Sequence, residues 1–233
     1  KKHTAWHEAG HALVNVMLKH THPLHKVTII PRGQALGATM YLPKEDILNR
    51  RRKEMFDTIA VTMGGRIAEE VVSDDISTGA AGDIQQATQL ARAMVTQYGM
   101  SEKLGMVQYG DNNEYVFLGR EMIRSKDYSE RTAQEIDEEV RWIIDRCYKV
   151  AKEIIDHNRD KLELIANCLL EYETLEGCQV EEIVRTGKFT PPPPSPQLEP
   201  PSGAQAATPV PEVPKPNPPE IGPGLGSPAP AAV

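Results

Sequence analysis

The sequence predicts a mainly α-helical domain with small β-hairpin elements, followed by a tail that does not fold. Apolar residues recur at intervals of three and four over several long stretches, as they do on the buried face of a helix. Short β-branched runs bounded by Pro and Gly predict a few strands. In addition, 16 of the 19 prolines lie after Thr190, where large apolar residues are almost absent. We therefore expect a folded domain over residues 1–188 and a disordered Pro/Ala/Gly-rich tail over residues 189–233.

The overall charge and the cysteine pattern exclude several classes of protein. The chain of 233 residues has a formal net charge of −7 and no basic patch, so we expect no nucleic-acid partner. Its three cysteines are scattered and form no C-x-x-C pair, which predicts a reducing compartment and no disulfide framework. No apolar run is long enough to span a bilayer, so we expect this piece of chain alone to be soluble.

The predicted elements alternate between long helices and short strands. The first helix covers residues 4–19, and a pair of strands follows it at 27–30 and 38–42. A second hairpin is expected over 106–109 and 115–118. Further helices are expected over 46–72, 84–98, 129–157, 159–173 and 180–186. The apolar stripe of the helix at 129–157 predicts a core-facing surface, and a surface for a partner helix is the alternative.

The first helix carries the pattern His-Glu-x-x-His at His7, Glu8 and His11. Residues four apart share one face of a helix, so both histidines can direct an imidazole nitrogen at one point. Zn²⁺ favours nitrogen ligands, and Glu8 can reach a water molecule at that metal, as in zinc metalloproteases. Gly10 is costly in mid-helix, which predicts close approach of another backbone or of the metal site. The alternative is a solvated helix face that carries no metal.

A catalytic zinc ion needs a third protein ligand, and the spacing leaves several candidates open. Glu69 or Glu70 would complete a His₂Glu site, although such a pair also fits a solvated helix end. Asp83 follows a glycine-rich loop, and Asp83-x-x-Gln86 also resembles the capping box of a helix. The three histidines within residues 20–25 are interpreted as a polar surface turn and not as ligands.

Five motif blocks occur in order along the chain: His7–Ala12, Ile30–Gly33, Gly64–Glu70, Ser77–Ile84 and Met94–Ser101. Together they resemble the peptidase domain of the FtsH family, the membrane-anchored ATP-dependent zinc metalloproteases. The resemblance covers about residues 3–187. The chain departs from the family at Trp6 and Gly82, where Tyr and Asn are frequent, and neither position bears on the proposed chemistry.

The resemblance implies a role for each candidate residue. By this resemblance, His7, His11 and Asp83 hold one Zn²⁺ per chain, and Glu8 is the catalytic base. Glu69 resembles an outer residue that orients the site, as carboxylates commonly do for histidine ligands. The implied activity is zinc-dependent endopeptidase cleavage of proteins that are unfolded or are unfolded on demand.

The resemblance also implies a larger assembly. In this assembly, helical peptidase domains form a homo-hexameric ring and are covalently linked to N-terminal AAA ATPase domains and transmembrane segments. The assembly lies at the cell inner membrane and faces the cytoplasm. Such an assembly would serve membrane protein quality control. The chain has no G-x-x-x-x-G-K-[ST] motif, so ATP would act only through an AAA domain outside this sequence. The alternatives are a non-catalytic oligomerisation or adaptor module with a decayed or structural zinc site, and a soluble, ATP-independent zincin.

Overall fold

The computed structural model describes residues 1–31, 33, 36–42, 49–73, 78–110 and 128–191. The prediction of a mainly helical domain is confirmed, because helices make up most of these ranges. The helices are α1 (Lys2–Met17), α2 (Arg52–Ser73), α3 (Ala81–Thr96), α4 (Glu130–His157), α5 (Arg159–Tyr172) and α6 (Gly177–Thr186). The strands are β1 (Leu24–Thr28), β2 (Ala38–Tyr41) and β3 (Thr174–Glu176), and a 3-10 turn covers Thr78–Ala80.

Helix α1 is the most enclosed element. Every residue from Glu8 to Asn15 is buried, so this stretch is covered all round and not along a single stripe. Helices α2, α5 and α6 and the strand β1 contact it. Helix α4 packs mainly on α2 and α3 and also contacts α1, and its predicted core-facing stripe is confirmed. The buried residues of α4 are Ala133, Ile136, Val140, Ile143, Cys147, Ala151 and Ile155.

Helices α1 and α2 cross at two glycines. A Cβ atom added to Gly10 would overlap the carbonyl oxygen of Gly64. A Cβ atom added to Gly64 would in turn lie 2.6 Å from the carbonyl oxygen of Gly10, closer than real Cβ contacts come. The two backbones therefore touch, which confirms the close approach that the mid-helix Gly10 predicted.

A small antiparallel sheet lies beside α1, in the strand order β2-β1-β3. The central strand β1 pairs through Val27 with Thr39 of β2 on one side and with Leu175 of β3 on the other. Strand β3 was not predicted. It follows α5 directly, because Glu173 adopts a left-handed conformation (φ 61°) that reverses the chain.

Three predicted helix starts are wrong by several residues. Helix α6 begins at Gly177 and not at residue 180. Helix α2 begins at Arg52 and not at residue 46, since residues 49–51 are not helical and residues 43–48 lie outside the described ranges. Helix α3 begins at Ala81 with Ala80 as its N-cap, so Asp83 lies in the first helical turn and is not the cap. The cause is the preceding 3-10 turn, which leads directly into the helix. Asp83 still lies where the helix dipole favours a carboxylate.

The predicted hairpin over 106–118 is not supported in its described half. Residues 106–109 form no strand, and the backbone N–H of Tyr109 donates to the carbonyl oxygen of Thr96 at the end of α3 (2.8 Å). This bond anchors the segment to a helix and not to a partner strand. The expected partner at 115–118 lies outside the described residues.

The described body, Lys1–Pro191, forms one compact unit. Its three cysteines, Cys147, Cys168 and Cys178, are free thiols. None of the helices in the described ranges combines the length and the apolar character needed to cross a bilayer. The tail predicted over 189–233 lies almost wholly outside the described residues, and the domain boundary at residue 188 stays a prediction.

Candidate metal centre

Three side chains from two helices converge on one point. The Oδ2 atom of Asp83 lies 3.1 Å from His7 Nε2 and 3.5 Å from His11 Nε2. The two Nε2 atoms are 3.0 Å apart. Among the described residues, these three form the single group of His, Cys, Asp or Glu side chains with metal-ligand spacing. The structure thus brings together the three residues that the family resemblance implied.

The ring nitrogens that face away from this point are both anchored. His11 Nδ1 donates to the carbonyl oxygen of Val61 (2.8 Å), which can only accept. His7 Nδ1 lies 2.8 Å from Glu69 Oε1, and an ionised carboxylate likewise accepts. Each histidine therefore carries a hydrogen on Nδ1 and directs the lone pair of Nε2 at the centre in its neutral form. The backbone of Val61 is a contributor that sequence reasoning missed.

The charges of the centre favour an ionised aspartate. Burial alone would raise the pKa of Asp83, but the hydrogen bonds and charges of His11 and His7 hold it well below its usual range. Burial alone would lower the pKa of His7, but the hydrogen bond and charge of Asp83, with the charges of Glu8 and Glu69, raise it. In the absence of a metal, a proton on His7 therefore balances the negative charge of Asp83, as a bound cation would.

The arrangement fits a zinc ion. Tetrahedral zinc with bonds of about 2.0–2.1 Å has ligand atoms roughly 3.3–3.4 Å apart, close to the spacing of the two Nε2 atoms and the Asp83 oxygen. The lone pairs of the two Nε2 atoms repel one another, and both repel the carboxylate of Asp83. A cation or a proton between these atoms removes the repulsion. The position of Gly65 is also consistent, because a Cβ atom there would lie 2.5 Å from His11 Nε2 and 2.7 Å from His7 Cε1.

The other candidate ligands have different positions. Glu69 contacts Nδ1 of His7, the ring nitrogen that faces away from the centre, and is 5% exposed, so the alternative of a solvated helix end does not hold for it. Glu70 accepts from the Tyr148 hydroxyl (3.0 Å) and from Arg66 (3.2 Å), which directs it towards α4.

Glu8 is held beside the centre by the sheet. Its Oε2 atom accepts a hydrogen bond of 2.6 Å from the Thr39 hydroxyl of β2, and Glu8 is only 7% exposed. A Cβ atom at Gly37 would lie 2.7 Å from Glu8 Oε1, so that glycine gives the carboxylate room. Sequence reasoning found neither Thr39 nor Gly37, because nothing in the local pattern shows that β2 approaches α1 there.

A cleft of about 540 Å³ opens over these residues, between α1, α2, β2 and the start of α3. Tyr41 forms part of its wall, and burial, followed by the charges of Glu8 and Asp83, raises the pKa of that phenol. His22 also lines the cleft, and none of the three histidines within residues 20–25 belongs to the group with metal-ligand spacing, as predicted.

Comparison with known proteins identifies a peptidase family and several relatives. The model of peptidase family M41 matches residues 1–183. The chain is 60% identical over 193 residues to the ATP-dependent zinc metalloprotease FtsH 2 of Methylacidiphilum infernorum, covering 83% of this chain and 30% of that protein.

Two further relatives give the same result. The ATP-dependent zinc metalloproteases FtsH of Akkermansia muciniphila and Myxococcus xanthus are each 50% identical to this chain, over 82% and 88% of its length. The chain spans 24% and 32% of these two proteins, so it corresponds to about a third or less of the relatives it matches. The resemblance drawn from the sequence motifs is confirmed, and the chain belongs to peptidase family M41.

Proposed function

We propose that this chain is the proteolytic part of an ATP-dependent zinc endopeptidase that cleaves unfolded polypeptides. The observation that carries this proposal is the convergence of His7, His11 and Asp83 beside Glu8, in a cleft open to solvent. The name that the relatives share, ATP-dependent zinc metalloprotease, supports it.

In this proposal, zinc is held by Nε2 of His7, Nε2 of His11 and Oδ2 of Asp83. Three protein ligands are typical of catalytic zinc sites, which keep a further position for water or substrate, whereas structural sites use four protein ligands. When bound, zinc supplies Lewis acidity, which acidifies a water molecule and stabilises negative charge on a carbonyl oxygen. Glu69 and the Val61 carbonyl hold the two imidazole rings in the ligating orientation.

Glu8 acts as the general base and then as the general acid. The Thr39 hydroxyl occupies its Oε2 atom, which leaves Oε1, beside Gly37, to take a proton from the attacking water. Glu8 then delivers that proton to the amine of the departing peptide. The fixed Oε2 limits the rotation of the carboxylate, so the proton is accepted at a defined position.

The substrate and the assembly are also proposals. A cleft lined on one side by β2 suits an extended segment of polypeptide, and a compactly folded substrate would not expose one. We expect unfolding to be driven by ATP in a part of the protein outside this sequence. A hexameric ring, a membrane anchor and a role in protein quality control rest on the family resemblance.

The proposal is tested by comparing a permanently unfolded protein with the same protein in its folded form. We expect the zinc-loaded chain to cleave the unfolded form, a chelator to stop cleavage, and added zinc to restore it. Efficient cleavage of the folded form would contradict the dependence on a separate unfolding activity. Cleavage that survives complete chelation would contradict the role of zinc, and failure of the zinc-loaded chain to cut the unfolded form would contradict the peptidase assignment.

A further inference from the structure

The cleft continues past the metal centre into a polar pocket. Asn15 lies four residues after His11 on the same face of α1, about 6 Å further along the helix axis. Helix α2 runs antiparallel to α1, which brings Thr58 and Thr62 to the same end of the cleft. We call the space bounded by Asn15, Thr21, Thr58 and Thr62 the Asn15 pocket.

The hydroxyl groups of this pocket have already used their hydrogens. Thr58 Oγ1 donates to the carbonyl oxygen of Glu54 (2.7 Å), and Thr62 Oγ1 donates to that of Thr58 (2.9 Å). Thr21 Oγ1 donates to the carbonyl oxygen of Asn15 (2.9 Å). A hydroxyl has one donor and two acceptor lone pairs, so these three hydroxyls, on residues that line the cleft, remain available only as acceptors.

Asn15 adds an acceptor on the wall of the cleft. Its side chain is directed into the cleft although the residue is only 4% exposed. The amide Nδ2 donates to the carbonyl oxygen of His22 (3.2 Å), and Oδ1 accepts no hydrogen bond from any residue that the structure describes. Oδ1 is not among the described side-chain atoms that are closed off from solvent without a partner, so it is accessible from the cleft and can accept from a ligand that carries a donor.

The surroundings restrict the charge of that donor. Arg50 Nη2 donates to Thr58 Oγ1 (3.3 Å), which places a positive charge beside the pocket and disfavours a lysine or arginine side chain. A carboxylate would meet oxygen acceptors, and an aliphatic side chain would leave them unpaired. An amide or hydroxyl side chain fits both conditions.

We propose that the Asn15 pocket is a substrate subsite that selects an uncharged, hydrogen-bond-donating side chain next to the scissile peptide bond. This inference rests on the proposed peptidase function, because it takes the substrate to be a polypeptide lying across the metal centre. Asn15 and Thr62 are the residues that determine this preference.

The preference is measured by binding, in zinc-loaded protein with the substitution Glu8→Gln, which prevents turnover. The two labelled, unstructured peptides of each pair differ at one position, which is Asn in one and its near-isostere Leu in the other. That position is moved along the peptide from pair to pair, and the affinities are measured by fluorescence anisotropy. We expect the Asn peptide to bind about tenfold more tightly at one position, as for one hydrogen bond made or lost in a buried site. Adding Asn15→Leu should abolish or reverse that difference.

A second pair of variants gives a matched control. Thr62→Val removes an acceptor of the pocket with little change of volume, and it should reduce the preference for Asn. Thr88→Val removes a comparable hydroxyl from an exposed site on α3, where Thr88 Oγ1 also donates to a carbonyl oxygen four residues earlier (2.7 Å). This variant should leave the preference for Asn unchanged. Thermal melting reports whether each variant is folded. If the Asn15→Leu variant does not fold, the Thr62→Val variant alone tests whether the pocket sets the preference.

Equal binding of Asn and Leu peptides at every position would overturn the inference. A preference for Asn that survives in folded Asn15→Leu or Thr62→Val protein would overturn it as well. Failure of the peptidase assignment is seen separately, as zinc-loaded protein with Glu8 intact that cuts none of the peptides.

Discussion

Each histidine of the centre uses its two ring nitrogens for different tasks. In His11, Nδ1 is fixed by the Val61 carbonyl, and in His7 it is fixed by the Glu69 carboxylate, so both Nε2 atoms are oriented before a metal binds. Pre-orientation reduces the conformational entropy lost on binding, and outer partners of this kind strengthen metal binding without being required for it. Residues that bind the metal and residues that orient its ligands should therefore differ measurably when substituted.

Replacing Glu8 by Gln should separate catalysis from metal binding. Gln has the same shape and can still accept from Thr39, but it cannot take a proton. Since a general base contributes about 10²- to 10⁴-fold to a rate, we expect peptide cleavage to fall by at least about 10²-fold. Zinc content, measured by atomic absorption, should remain one ion per chain. Turnover retained in this variant would remove Glu8 from the mechanism.

Asp83→Asn and Glu69→Gln should have effects of different size on zinc binding. Asp83 Oδ2 faces both Nε2 atoms, so losing its charge should abolish stoichiometric zinc binding. Glu69 touches only Nδ1 of His7, so its loss should weaken zinc binding by about 10- to 100-fold. Competition with a chromophoric chelator measures both affinities. The reverse order of effects would assign the third ligand to Glu69.

The residues of the metal centre differ in how far the sequence could predict them. His7, Glu8 and His11 lie within one helical turn, so their spacing alone predicts a shared site. Asp83 and Glu69 depend on how α1, α2 and α3 pack, and only the family resemblance separated their roles. Thr39 could not have been predicted, because the close approach of a strand to a helix leaves no local pattern.

Among the elements, the crossing of α1 and α2 depends on the two glycines at the contact. Helix α1 carries His7 and His11, and helix α2 carries Glu69 and Val61. The separation of the two helices therefore sets the distances from the histidine rings to the groups that orient them. Side chains larger than hydrogen at Gly10 or Gly64 would separate the helices. A change at the crossing should therefore affect both stability and the site.

Gly64→Ala should destabilise the domain. The added Cβ atom would lie 2.6 Å from the backbone oxygen of Gly10, which cannot move independently of α1. Overpacking of this kind typically costs about 1–3 kcal/mol of unfolding free energy, measurable by urea denaturation. Gly82→Ala is the matched control, because Gly82 also lies in a helix but a Cβ atom there would meet nothing within 4 Å. A Gly64→Ala variant as stable as the Gly82→Ala variant would contradict the described crossing.

The long helix α4 and the short strand β2 were predicted within a residue or two at each end, and strand β3 was not predicted. Helix α4 begins at Glu130, within one residue of the predicted start, and Ser129 accepts from the N–H of Thr132 as its N-cap. Strand β3 has only three residues and exists because β1 offers it a partner. Pairing of this kind is a tertiary effect, and neither periodicity nor a Gly or Pro signal precedes it.

For the described body as a whole, a bound zinc ion would join α1 to α3 through the side chains of His7, His11 and Asp83. A ligand that binds only the folded state stabilises it, by about 4 kcal/mol at a thousandfold excess over its dissociation constant. We therefore expect the melting temperature to rise with zinc concentration and to fall on chelation. The Asp83→Asn variant should show no such dependence. An unchanged melting temperature in the unsubstituted protein would mean that zinc does not bind selectively to this fold.

The most direct test of the account is anomalous X-ray diffraction at the zinc edge from crystals of the zinc-loaded chain. The account predicts one anomalous peak per chain, about 2.0–2.2 Å from His7 Nε2, His11 Nε2 and Asp83 Oδ2, with no fourth protein ligand. A peak that lies elsewhere, or one enclosed by four protein ligands, would contradict a catalytic zinc centre at this site.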